Sequence, residues 1–341
     1  HDGFTYYTSN AGLPSLREAI AEYYWRIHRV ALDPERNLVV TASGVQALHL
    51  AIRCVLDPGD AAIVLTPVWP NGSAIVEMCS ATPVHVPHVL EDGRYTIDFD
   101  ALERAVTARA RLLLYTSPSN PLGWVASELE QRRVRDFARR HGLWLIADEV
   151  YERLHYPRGG SATPAASILR LCSPEDAVVV IQSFSKSYCM TGWRLGWLTG
   201  RVDVIARARE LNEFVVSHAT SFIQKAGEVA LADGEEWIAE LHAKLRANRD
   251  LCAAALRGMP GVTLPEPEGA FYLFPRIAGA ADSFAFCKQL LYEEKVGLAP
   301  GVAFGAGGEG SVRLCYAAER QILEPALERL SKFLSCGQLR A

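Results

Sequence analysis

The sequence lacks several features that would decide its class at once. Its eight cysteines, Cys54, Cys79, Cys172, Cys189, Cys252, Cys287, Cys315 and Cys336, form no C-x-x-C pair and no disulfide-framework spacing in a chain of 341 residues. Reduced thiols in a cytoplasm are the expectation. The nine histidines never form H-E-x-x-H, and no cysteine has a zinc-type partner, so no metal site is expected. A G-x-x-x-x-G-K-[ST] loop is missing too, which argues against a nucleotide-driven machine. Apolar runs such as Ala177 to Ile181 fall far short of the ~20 residues that a membrane helix needs. Charge of one sign is scarce: 35 Lys plus Arg face 39 Asp plus Glu, and a formal net charge of -4 offers no strong field for nucleic acid or an anionic membrane. No period of 20 to 50 residues repeats, and no low-complexity tract interrupts the chain. It opens on His1 with no basic-then-apolar leader, and its beginning is expected to be missing.

What is present is ordinary globular usage, with 49% hydrophobic and 22% charged residues. At ~150 residues per domain, the length favours two domains. Ser15 and Glu18 have capping-box spacing, and Leu16, Ile20, Tyr23, Tyr24 and Ile27 follow one helix face. Leu38 to Thr41 reads as a strand leading through Ser43-Gly44 into a helix with Val45, Leu48, Ile52 and Val55 on one stripe. The apolar runs at Ala61 to Leu65, Arg111 to Tyr115, Leu143 to Ala147 and Ala177 to Ile181 suit strands buried on both faces of a parallel sheet covered by helices. An α/β fold follows. Beyond about residue 200 come long helical stretches, Val202 to Val216 and Glu236 to Leu256, and then GAFYLF, GLAPGVAF and SVRLCYA as candidate strands of a second, smaller α+β domain.

Ligands of open α/β sheets gather outside the carboxyl ends of the strands, so the residues after each strand carry the functional information. Four such ends hold polar sets: Ser43, Gly44, Val45 and Gln46; SPSNPLG with Asn120; Asp148 with Tyr151; and SFSK with Lys186. A hydroxyl and a glycine at a helix start suit a phosphate, because the first helical N–H groups lack internal partners, although a simple N-cap explains the same residues. Gly305, Gly307 and Gly310 spell G-x-G-x-x-G, but a strand-like segment follows them instead of a helix, so the dinucleotide reading fails its context.

SFSKSYCMTGWRLGW at 183–197 resembles the lysine-bearing signature of fold-type I pyridoxal-phosphate enzymes, specifically the class I and II aminotransferases of the aspartate aminotransferase superfamily. YTSNAGLPSLREAI at 7–20, TASGVQAL at 41–48, SPSNPLG at 117–123, ADEVYERLHY at 147–156, PEGAFYLF at 267–274 and VRLCYA at 312–317 stand in that family's order. The resemblance covers nearly the whole chain. It implies a large domain over residues 1–240, with a mostly parallel seven-stranded sheet between helices, and a small C-terminal domain over residues 241–341. It also implies pyridoxal 5'-phosphate as cofactor, ping-pong transfer of an amino group from an L-amino acid to a 2-oxo acid, and a homodimer with shared active sites.

By that resemblance Lys186 forms the Schiff base and then carries the proton between substrate and cofactor. Asp148 pairs with the pyridine nitrogen, and Tyr151 and Asn120 hydrogen-bond the phenolic oxygen. Arg194 clamps the phosphate, with Ser183, Ser185 and the Ser43-Gly44-Val45 turn as further donors, and Trp69 stacks on the ring. Arg313 grips the substrate carboxylate, because a planar fork fits a carboxylate better than an ammonium does. Tyr7 reaches the phosphate of the neighbouring subunit, with Tyr6 leaving the register open by one residue. Two departures stand out. Relatives that use aspartate often carry a lysine where this chain has Val45, and the arm that usually precedes the YTSNAG segment is expected to be missing from this chain. A β-lyase on the same fold and a non-catalytic sensor domain are the alternatives.

Overall fold

Strand alternation explains why the apolar runs can be apolar throughout. The computed structural model describes residues 3–157 and 163–335, and Cys336, counted among the thiols above, lies outside them. In β2 (Ala61–Thr66) every residue is buried. Ile63 and Leu65 face one layer, with Leu113, Tyr115 and Leu145, while Ala62 and Val64 face the other, with Leu112, Leu114 and Ile146. Both layers are thus filled from one run, each fully buried Ile or Leu contributing roughly 1.5–3 kcal/mol over an exposed one.

The main sheet is completed by β1 (Leu38–Thr41), β3 (Thr82–Pro87), β4 (Ala110–Thr116), β5 (Trp144–Asp148), β6 (Val178–Ser183) and β7 (Gly196–Gly200). Its seven strands run in the order β1-β7-β6-β5-β4-β2-β3. Strands β3, β2, β4, β5 and β6 pair in parallel, and β7 is antiparallel to both neighbours. The apolar-run reading passes over β7, whose sequence GWLTG carries glycine at both ends. Packing requires both: a Cβ on Gly196 would sit 2.6 Å from the Gly44 nitrogen, and one on Gly200 would sit 2.3 Å from the Val178 carbonyl oxygen. Helices α1 (Pro14–His28), α2 (Gly44–Val55), α3 (Asn71–Met78), α4 (Glu128–Arg140) and the single turn α5 (Phe184–Ser187) fill the connections.

After the sheet come α6 (Val202–Val215), α7 (Ser221–Asp233) and α8 (Glu235–Arg257), then β8 (Tyr272–Leu273), α9 (Ser283–Glu294), β9 (Ala299–Pro300), β10 (Val312–Cys315) and α10 (Arg320–Ser335). Strands β8, β10 and β9 form a small antiparallel sheet. Apolar side chains of α8 and α10, among them Cys252, Leu256, Leu323 and Leu327, join the cluster that lines one face of the main sheet.

Three local expectations are corrected. Ser15 and Glu18 form no capping box: Pro14 lies at the first helical position, Leu13 is the N-cap without a side-chain bond, and the Ser15 hydroxyl donates instead to Glu228 of α7. Only the Ala299–Pro300 part of GLAPGVAF is strand, since residues 301–304 coil into a short 3₁₀ turn. Helix α7 was not expected at all; its apolar residues are interrupted by Gln224, Gly227 and Glu228, which blur the stripe. Gly305, Gly307 and Gly310, all at positive φ, lead into strand β10, as the sequence context required.

Candidate active site

Because β1, β2, β4, β5 and β6 point the same way, their carboxyl ends share one edge of the sheet. A cavity of about 330 Å³ opens there. Its wall takes Gly44 and Val45 from the start of α2, Val68 and Trp69 after β2, and Thr116 and Asn120 around the end of β4. Asp148 and Tyr151 come from the end of β5, Ser183, Ser185 and Lys186 from β6 and α5, Thr191 and Arg194 from the loop before β7, and Tyr272 and Arg313 from the small sheet. Residues nearly 270 positions apart in the chain thereby meet in one place, from Gly44 to Arg313.

Arg313 is held in an aromatic box. Its guanidinium carbon lies 4.5 Å from the Tyr272 ring centroid, 4.9 Å from Phe304 and 5.5 Å from Trp69. One Nη donates to Asn120 Oδ1 at 2.9 Å, and the Trp69 amide donates to the Asn120 carbonyl at 3.0 Å, so Asn120 fixes both neighbours. The Arg313 Nε is buried without a hydrogen-bond partner among the described residues. A half-buried guanidinium whose side-chain partner is neutral is a ready carboxylate receptor.

Lys186 follows the Ser183 N-cap by one helical turn, and its ammonium lies 5.6 Å from the Tyr151 ring centroid and 5.8 Å from that of Phe271. Burial lowers its pKa, with Arg313 and Arg194 adding to the effect and Asp148 opposing it. A depressed pKa makes a lysine available as a nucleophile and proton carrier. Burial also pushes the Asp148 carboxyl up to about 6, against the opposing pull of the Val150 amide and Lys186. The Tyr151 hydroxyl stands 3.3 Å from that of Tyr272, and burial first, with Tyr272 beside it, holds its pKa well above the ordinary value.

Of the residues to which the resemblance assigns a role, all but two line the cavity. Ser43 is buried, with its hydroxyl accepting from the Gln46 amide as a plain N-cap, and Tyr7 lies outside, 89% exposed with its ring edge-on to His218. Ser183 Oγ is occupied as well, donating to the Leu195 carbonyl and accepting from the Ser185 amide. Arg194 is exposed and spends one Nη on the Thr191 carbonyl at 2.6 Å. Sequence reasoning missed Tyr272, Phe271, Phe304 and Thr191. All four sit inside segments quoted above, but nothing in their spacing points at the cavity.

The donor set suits a phosphorylated aromatic aldehyde. It holds an amine that donates no hydrogen bond among the described residues, a carboxylate at a strand end, a tryptophan with 45% of its surface exposed, and a helix start beside a free-reaching arginine. Comparison with known proteins shows the family. The profile of the family described as Aminotransferase class I and II matches residues 1–330. An aspartate aminotransferase from Pyrococcus horikoshii is 32% identical over 342 residues, covering 98% of this chain and 84% of that protein. An aromatic-amino-acid aminotransferase from Thermococcus litoralis is 32% identical over 335 residues, covering 97% and 85%. Among solved structures, an aromatic aminotransferase from Pyrococcus horikoshii superposes with a TM-score of 0.93 at 34% identity, covering 99% of this chain and 90% of that one.

Proposed function

The chain belongs to the class I and II aminotransferases and is a transaminase, and from that premise we propose that it binds pyridoxal 5'-phosphate in the cavity at the sheet edge and serves amino donors without a side-chain carboxylate. The observation that carries the reading is the convergence of Lys186, Asp148, Tyr151, Asn120 and Arg313 on one cavity from four separate chain segments. When bound, pyridoxal phosphate supplies an aldehyde for the amino group and a ring that stores the electron pair left at the substrate α-carbon.

The residues divide the work by charge and position. Lys186 Nζ tethers the cofactor and, once displaced, moves the proton at the substrate α-carbon. Asp148 holds a proton on the ring nitrogen, and Tyr151 and Asn120 orient the phenolic oxygen. Arg194, the amides of Gly44 and Val45, and Ser185 bind the phosphate, with Ser183 and Ser43 shaping the turns that carry them. Trp69 covers one ring face, and Arg313 holds the substrate carboxylate so that the α-carbon stays within reach of Lys186. The cations at the cavity are all engaged in these roles, and Val45, Leu48, Val68 and Leu114 supply an apolar wall for the donor's side chain. Tyr7 is assigned to the phosphate of a second subunit in a homodimer. Residues 1–240 are assigned to the cofactor domain and 241–341 to the small domain. We place the enzyme in the cytoplasm, with the seven cysteines of the described residues free, as they stand.

The test is spectroscopic. Protein reconstituted with pyridoxal phosphate should show a visible absorption band that Lys186→Ala abolishes, with kcat down roughly a thousandfold or more. An unchanged band in that variant would overturn the assignment of Lys186.

A further inference from the structure

The turn that carries Asp148 and Tyr151 has a second face, and that face is buried in a polar cluster. Residues 148–153 are divided between the two sides. Asp148, Val150 and Tyr151 line the cavity, while Glu149 and Glu152 point away from it and are buried, only 2% and 3% exposed. Both oxygens of Glu152 are used: Tyr23 Oη donates to Oε1, and His28 Nε2 lies 2.7 Å from Oε2. Tyr23 and His28 belong to α1, and the His28 and Glu152 side chains are 2% and 3% exposed. Arg153, next in sequence, grips Glu235 of α8 with both Nη atoms and lies 5.9 Å over the Tyr23 ring. The Glu149 carboxylate accepts from the Ile168 amide at 2.8 Å.

A buried carboxylate is stable only when paired and hydrogen-bonded. Glu152 is therefore an anchor that cannot shift without breaking both of these buried bonds, and the backbone it fixes carries Tyr151 one residue away. Groups from every side face the cluster: Tyr23 and Tyr24 of α1, Glu149, Arg153, Arg170, Tyr188, Glu235, and behind Glu149 also Tyr115 and Cys172. Burial pushes Glu149 up to about 8, so at neutral pH it is largely uncharged. Burial alone would lower the His28 imidazole, but Glu152 beside it and Glu149 behind hold its pKa above the ordinary value.

We propose that Tyr23 and His28 are positioning residues for the transamination, acting through the buried Glu152 to hold the turn that aims Asp148 and Tyr151 into the cavity. The proposal rests on the assignment of those two residues to the cofactor. It also gives α1, which contributes nothing to the cavity wall, a part in the reaction.

The experiment uses holoenzyme of wild type, Tyr23→Phe, His28→Ala and His28→Gln. It reads cofactor Kd, the pH at which the visible band titrates, and kcat. Loss of one Glu152 partner is expected to lower kcat roughly tenfold, as loss of an outer support for a reacting group commonly does. It should also move the band titration upward by about half a pH unit, because a loosened Tyr151 stabilises the unprotonated form less. His28→Gln, which keeps a donor at the Nε2 position, should recover most of both changes. Variants that load fully, with band titration and kcat equal to wild type, would overturn the proposal, as would lower thermal stability with an unmoved titration. If His28→Ala does not fold, Tyr23→Phe and His28→Gln still decide. Wild type that shows no cofactor band at all would instead reject the underlying assignment of the site.

Discussion

Two cavities of comparable volume open at opposite edges of the main sheet, and only the one at the carboxyl ends gathers the candidate site residues. The cavity at the amino ends of β5 and β6 measures about 370 Å³ against about 330 Å³ for the one at the carboxyl ends. Each is lined by three cations. At the amino edge every arginine already has a carboxylate: Arg135 bonds Asp136, Arg139 bonds Asp176 and Arg201 bonds Asp203. At the carboxyl edge Arg313 has only neutral Asn120, Arg194 only a backbone carbonyl, and Lys186 no hydrogen bond among the described residues. Volume and residue type do not distinguish the two edges. What distinguishes them is whether the charge is already neutralised, because an unneutralised, partly buried charge is costly unless a ligand completes it.

The sharpest way to break the comparison is to remove an unneutralised charge. Arg313→Ala should lower kcat/KM for amino donors roughly a hundredfold, about 2.7 kcal/mol, with cofactor binding retained. Steady-state kinetics beside a cofactor titration checks it, and equal activity would reject Arg313 as the carboxylate anchor. The next effect concerns pH. Burial holds Asp148 at about 6, above the ~3.9 of an exposed aspartate, so the folded, cofactor-free protein binds more protons than the unfolded chain between those values. Stability therefore falls as pH rises through that window and then levels off. A protonated ring nitrogen needs the ionised carboxylate, so cofactor affinity should weaken as pH drops below about 6, by roughly tenfold per unit. Asp148→Asn should flatten that dependence in a Kd titration from about pH 5 to 8, and a slope that persists in the variant would belong to another group.

How much of this contrast was legible in the sequence depends on chain distance. Lys186, Asp148 and Asn120 were legible because each closely follows an apolar run that must be a strand, and parallel strands bring their carboxyl ends together. The Arg313 box was not: Tyr272 lies on a two-residue strand and Phe304 in a short turn, and neither has a period to announce its direction. The link from His28 to Glu152 spans 124 positions and leaves no local pattern. Ser43 is instructive in the other direction. A hydroxyl before a glycine at a helix start fits both a phosphate donor and an N-cap, and only the placement of the Gln46 amide shows that its oxygen is already engaged. Strand β7 escaped for a packing reason, since the glycines that weaken its strand signal are the ones that let it press against α2 and β6.

Smaller effects sharpen the same contrast. Val45 is 48% exposed at the cavity, and Val45→Lys adds a fourth cation at the edge where cations go unneutralised. It should raise kcat/KM for aspartate relative to phenylalanine roughly fivefold, about 1 kcal/mol, the scale of a partly exposed pair. Competition between the two donors would measure it, and an unchanged ratio would place the donor's side chain elsewhere.

The smallest effect is expected at the amino edge, and it is as informative as the largest. Arg139 pairs with Asp176 through both oxygens, but its own side chain is 45% exposed. After Arg139→Ala, Asp176 keeps the Ser173 amide at 2.6 Å and the Ser173 hydroxyl at 3.1 Å. The loss should be about 1 kcal/mol of folding stability or less. kcat/KM and cofactor Kd should stay within about twofold of wild type, the scatter of a distant surface change. A fall of tenfold or more in either would mean that the amino-edge cavity communicates with the reaction, and neutralised arginines would then no longer mark an edge without function.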